Sequence, residues 1–139
     1  MHSTRWSMLL ALLGLGISLY LTLAHYAQGQ VPLACATTGV VNCELVTSSA
    51  ESAIGPIPVA VLGVAWFAIY LGLVLGRVSG FIQLAWTAAG LTFVFYLVYA
   101  ELFLIGALCL WCTAVHLIVG ALFLLSVGTS STDVAEAVA

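Results

Sequence analysis

The chain has 139 residues, 64% of them hydrophobic and 5% charged, with two basic and five acidic side chains and a formal net charge of −3. A soluble domain carries roughly 25% charged residues, so this chain cannot cover itself with a water-facing surface, and its mean hydropathy of +1.26 marks an integral membrane protein. There is no basic patch to attract nucleic acid, and the length suits about four spans of ~20 residues in lipid.

Residues 1–6 are a short polar start carrying Arg5, and an apolar run follows. A basic start before such a run also fits a secretory signal peptide. No small-x-small cleavage site follows cleanly, however, and the run is long for a signal core. It reads as a retained first span, about 7–26, ending near His25 and Tyr26. Residues 28–56 form the one long polar stretch, with Cys35, Cys43, Glu44 and Glu51. Ser48 and Glu51 have capping-box spacing, in which each end satisfies the other's free backbone N–H. That predicts a short helix over 49–54, lying on the membrane surface.

Pro56 and Pro58 punctuate the start of a second span, about 58–76, because proline fits a helix start where its missing N–H has no partner to lose. Arg77, Ser79 and Gly80 make a tight connection to a third, aromatic-rich span, about 80–104, with Glu101 near its far end. Gly106 marks the turn into a fourth span, about 107–127, which opens on Cys109 and Cys112 and carries His116. These four spans make a membrane domain over 1–127. The Ser/Thr-rich acidic tail, 128–139, is expected to be disordered. The expected fold is all-α: an integral membrane four-helix bundle with an extracytoplasmic loop carrying a short helix.

Four spans put Arg5 and Arg77 on one side, which the positive-inside rule makes cytoplasmic. The loop 28–56 and the turn between the third and fourth spans then lie outside, and both cysteine pairs meet at the outer face.

Taken alone, Cys35 and Cys43 fit a structural disulfide pinning an exported loop. Cys109 and Cys112 alone fit two small apolar residues packing in a bundle. Together they point elsewhere. A Cys-x-x-Cys ring is too small to restrain the unfolded chain much, but it opens and closes readily where a helix start lowers the thiolate pKa. A second pair on the same side can exchange with it through a mixed disulfide. A four-thiolate zinc site competes with that reading. The loop cysteines stand eight positions apart, wide for zinc, and face an oxidising compartment, so no metal is expected.

Several stretches carry a resemblance: Ser18-Leu19-Tyr20-Leu21 in the first span, then Cys35 with Cys43 eight positions on, running through Glu44 to Ser49. Pro56-Ile57-Pro58-Val59, Leu62-Gly63, Tyr96-Leu97, Glu101-Leu102 and Cys109-Leu110-Trp111-Cys112 with His116 complete it. The chain resembles a compact bacterial member of the vitamin K epoxide reductase family. The resemblance implies a disulfide-forming oxidoreductase of the bacterial cytoplasmic (inner) membrane, with a quinone (menaquinone or ubiquinone) as electron acceptor. It implies that Cys112 faces the quinone, that Cys109 exchanges with Cys43, and that Cys35 exchanges with a thioredoxin-like (DsbA-type) partner. That partner is expected to be a separate protein. Ser49 takes the family's loop Ser/Thr position near the quinone, and His116 stands where vertebrate relatives have tyrosine and bacterial ones often histidine.

Other residues invite two readings each. His116, one turn beyond Cys112, fits a donor to a quinone oxygen, whose charge grows during reduction, or a histidine that joins helices. Glu101 is an intramembrane acid, functional by default, or a carboxyl reaching water at a helix end. Trp111, Tyr26 and Tyr99 suit an aromatic belt at least as well as a ligand pocket, and His25 suits an interfacial position. Phe67, Phe93, Phe95 and Tyr96 line a quinone slot or simply pack the bundle. Beyond the oxidoreductase reading, a membrane subunit with two static disulfides and a metal-binding membrane protein remain open.

Overall fold

The computed structural model describes residues 2–27, 30–31, 33–35 and 38–139. Among the described residues, four apolar helices form the bundle: α1 (His2–Tyr26), α3 (Val59–Leu75), α4 (Gly80–Tyr99) and α5 (Leu110–Val138), with the short α2 (Cys43–Ser48) in the loop between α1 and α3. Among the described residues, three stretches are long and apolar enough to cross a membrane, Ser3–Tyr26, Gly80–Ile105 and Leu110–Val138. The 17 residues of α3 reach about 25 Å. The chain thus forms the all-α membrane bundle that its apolar runs lead one to expect.

Small residues let the helices approach closely where no hydrophobic force distinguishes helix from lipid. The Phe67 ring of α3 lies where a Cβ on Gly14 of α1 would stand, and the Trp66 ring does the same at Gly90 of α4. Helix α1 packs on α3 and α5, and α4 packs on α5, while α3 and α4 touch only sparingly. Phe67, Tyr70 and Leu122 fill the centre, and Leu12, Leu19, Leu117 and Leu124 point outward, as lipid-facing residues must.

The loop differs in detail from its sequence reading. The α-helix forms over Cys43–Ser48 rather than 49–54, because Asn42 caps it, its Oδ1 accepting the Leu45 N–H at 3.0 Å. The Ser48 hydroxyl donates instead to the Glu44 carbonyl at 2.7 Å, so the expected capping box does not form. A 3-10 turn (Ala50–Ser52) and a hairpin of β1 (Ala53–Ile54) with β2 (Ile57–Pro58) follow, Gly55 taking the left-handed φ of 63° that the turn needs.

The fourth helix starts at Leu110, three residues later than expected. Before it, the Asn42 N–H donates to the Leu108 carbonyl at 3.0 Å and the Leu108 N–H to the Val40 carbonyl at 2.9 Å, a parallel bridge from the loop to the segment ahead of Cys109. At its other end α5 continues to Val138, where a disordered tail is expected from the sequence. The Asp133 carboxylate accepts the Gly80 N–H at 2.7 Å, which ties that last stretch to the start of α4. Arg5, Arg77 and Asp133 line one depression at this end of the bundle, remote from the cysteines.

Candidate functional site

Cys35 and Cys43 form a disulfide with a Cα–Cα distance of 6.1 Å, while Cys109 and Cys112 are free thiols. Cys43 opens α2 and Cys109 precedes α5, and both are 0% exposed. They belong to one buried cluster with Val46 and Ala107, against which Cys35 and Cys112 also pack. The bridge at Leu108 sets this arrangement, since it fixes the chain one residue before Cys109 against the chain two residues before Cys43.

Cys109 is the N-cap of α5, and its Sγ accepts the Cys112 N–H at 3.2 Å. The Cys112 thiol beside it holds the Cys109 thiol below the usual range, helped by the backbone N–H groups of Cys112 and Trp111 and opposed by burial and by the Glu101 carboxyl. A thiolate at a helix N-terminus is the reactive form of such a pair.

Two helices hold the loop next to Cys35. The Ala34 N–H donates to the Tyr20 hydroxyl at 3.0 Å, and the Trp111 Nε1–H donates to the Ala34 carbonyl at 3.2 Å. The Tyr20 and Trp111 rings meet edge to face, with centroids 5.3 Å apart. Trp111 therefore has a role beyond a membrane belt. His25 Nδ1 lies 3.3 Å from the Thr47 carbonyl, a second tie from α1 to the loop.

Beneath the cysteines a cavity of about 370 Å³ opens between the helices, with Trp66, Phe67, Trp86 and Phe93 among its walls. Trp66 and Trp86 stack at 6.2 Å across the sparse α3–α4 contact. The polar groups reaching the cavity include Cys112, His116 and Glu101. An apolar slot with aromatic walls and a few convergent polar groups is the form of a small-molecule site.

The residues singled out in the sequence divide here. Cys112 and His116 line the cavity, as do Phe67 and Phe93. Ser49 is not among the lining residues, its hydroxyl donating to the Val46 carbonyl at 2.8 Å, whereas its neighbours Thr47, Glu51 and Ser52 do line it. Phe95 and Tyr96 face outward, 67% and 49% exposed. Trp66 and Trp86 are walls that the sequence did not distinguish from other aromatics. Among the described residues, no group of three or more His, Cys, Asp or Glu side chains is placed to hold a metal ion.

The model of the vitamin K epoxide reductase family matches residues 5–127, a stretch that holds both cysteine pairs, His116 and every cavity residue named above. No curated protein matches the chain.

Proposed function

Because the chain belongs to the vitamin K epoxide reductase family, whose members are membrane oxidoreductases with disulfide chemistry, we propose that it makes disulfides at the outer face of the bacterial cytoplasmic (inner) membrane. Electrons enter from a thioredoxin-like (DsbA-type) protein at Cys35, cross to Cys109 through Cys43, and leave from Cys112 to a quinone, menaquinone or ubiquinone. One observation carries this order: Cys43 and Cys109 share a buried cluster, while Cys112 is the cysteine that lines the cavity.

The chemistry follows from thiol exchange. A thiolate of the partner attacks Cys35, freeing Cys43, and the partner's second thiol then releases Cys35. The Cys43 thiolate attacks Cys109 in a Cys109–Cys112 disulfide and Cys112 leaves. Cys35 next attacks Cys43 and releases Cys109, so that the loop pair is bonded and the membrane pair reduced. That is the pairing present here, with a Cys35–Cys43 bond and two free thiols beyond it. A quinone bound in the cavity supplies an acceptor for two electrons and two protons. His116 donates a hydrogen bond into the cavity, and Trp66, Phe67 and Trp86 exclude water from it. Ser49, engaged with Val46, steadies the end of α2 above the site. The two arginines at the far end of the bundle support the orientation.

Anaerobic mixing of the purified protein with a reduced thioredoxin-like dithiol and a quinone tests the reading. Quinol should appear as the partner becomes oxidised; an oxidised partner without quinol, or neither product, would contradict it.

A further inference from the structure

The oxidation of two thiols by a quinone moves two protons as well as two electrons, and Cys109 lies too deep to release its own to water. Among the described residues, Glu101 is the one buried carboxylic acid, 4% exposed, and it lies beside the pair. Helix α4 does not simply stop before it. The helix widens into a π turn, Ala100–Ile105, in which Ala100 and Glu101 face inward while Leu102, Phe103 and Leu104 face lipid. Such widened turns recur at functional sites. Gly106, with a left-handed φ of 71°, closes the turn, and the Ala107 N–H donates to the Glu101 carbonyl at 3.1 Å. The Glu101 side chain then accepts the Cys109 N–H at 3.4 Å and also borders the cavity that Cys112 and His116 line.

Glu101 therefore touches both the thiol pair and the space where a proton is needed. Among the described residues, no lysine or arginine lines that cavity; both arginines sit at the other end of the bundle. Two uncompensated anions side by side in so dry a place repel strongly, so one negative charge is shared between Glu101 and the Cys109–Cys112 pair.

Building on the proposed quinone reduction, we propose that Glu101 is the proton carrier of the thiol pair. In the reduced pair Cys109 is the thiolate, Cys112 the thiol and Glu101 the acid. Formation of the Cys109–Cys112 bond sends two electrons to the quinone. The Cys112 proton and the Glu101 proton go with them, giving quinol and leaving the charge on Glu101. When Cys43 and Cys35 reduce the pair again, their two thiol protons restore Cys112 and Glu101, and Cys109 returns as thiolate. Electrons, protons and charge balance in both halves. Among the described residues, the other titratable groups that face this space are His25 of α1, Glu51 of the loop and His116 of α5, with none from α3.

The Glu101→Gln variant keeps an oxygen to accept the Cys109 N–H but has no proton to carry. In quinone-free full-length protein, reduced-minus-oxidised infrared spectra should show a carboxylic C=O band in the wild type, absent in Glu101→Gln. In stopped-flow mixing with a quinone, the pre-reduced variant should react about 10²-fold more slowly, the scale of one positioned acid–base group. Its pH profile should be changed and its quinone affinity kept, while Glu101→Asp recovers part of the rate. Exchange of the loop pair with a reduced dithiol should not change. A wild type without the carboxyl band, or a Glu101→Gln rate equal to wild type, would overturn the inference. A wild type that makes no quinol would sink the quinone reading itself, and the infrared band would still judge Glu101.

Discussion

Replacing Trp111 by Phe asks how firmly the loop holds Cys35. Ala34, next to it in sequence, is tied to the bundle by two hydrogen bonds, one from its N–H to Tyr20 at 3.0 Å and one to its carbonyl from Trp111 at 3.2 Å. The Trp111→Phe change removes the second bond and leaves a ring to pack against Tyr20, whose centroid is now 5.3 Å away. One intramolecular hydrogen bond is worth about 1 kcal/mol net, and that energy corresponds to about a fivefold change in population. The segment bearing Cys35 should therefore open about fivefold more often. Reduction of Cys35–Cys43 by a small dithiol, followed by alkylation and mass analysis, should accelerate by about that factor. Tyr20→Phe should act similarly. The double variant should fall short of the product of the two, because both bonds hold the same residue. Reduction rates in the double variant within twofold of wild type would refute the idea that this clamp governs access to Cys35.

Three more outcomes follow from the site. His116→Ala should slow quinol formation by about 10²-fold, as expected for the loss of one positioned donor, while exchange between the partner and the loop pair continues; an unchanged quinol rate would return His116 to packing. The Cys112 thiol is the main cause of the depressed Cys109 thiol, so, with both loop cysteines replaced by serine to keep Cys109 free, Cys112→Ala should move the alkylation profile of Cys109 to higher pH and lower its rate near neutrality, whereas Cys112→Ser, which keeps a donor, should shift it less. The proposed orientation, with Arg5 and Arg77 inside, predicts that a membrane-impermeant thiol reagent labels Cys35 or Cys43 in intact, reduced cells; labelling only after lysis would reverse the topology.

The fold was readable because apolar runs of spanning length leave few alternatives, and the cysteine spacings pointed to paired thiols. What faces what was far less readable. These helices are apolar all round, so no polar stripe tells core from lipid, and Phe93 and Phe95 look alike in sequence although one lines the cavity and the other faces outward. Trp66 gained its position from Gly90, a contact between helices that neither segment announces. The inward turn of Glu101 depends on a π turn, which ordinary helical periodicity cannot foretell. In the loop, two capping signals overlapped; Asn42, placed at the bridge to Leu108, prevailed over Ser48 and Glu51. The same bridge delayed the start of α5 and made Cys109 a cap rather than a member of the helix.

The central claim is that electrons cross from the loop to the membrane pair between Cys43 and Cys109. It is tested most directly by mass mapping of the disulfides in Cys112→Ser, in which Cys109 has lost the neighbour that would resolve an exchange. Attack of the Cys109 thiolate on the loop disulfide should then leave a Cys43–Cys109 bridge and a free Cys35 as the dominant species. A dominant Cys35–Cys109 bridge, or the redox partner linked to Cys109, would contradict the account.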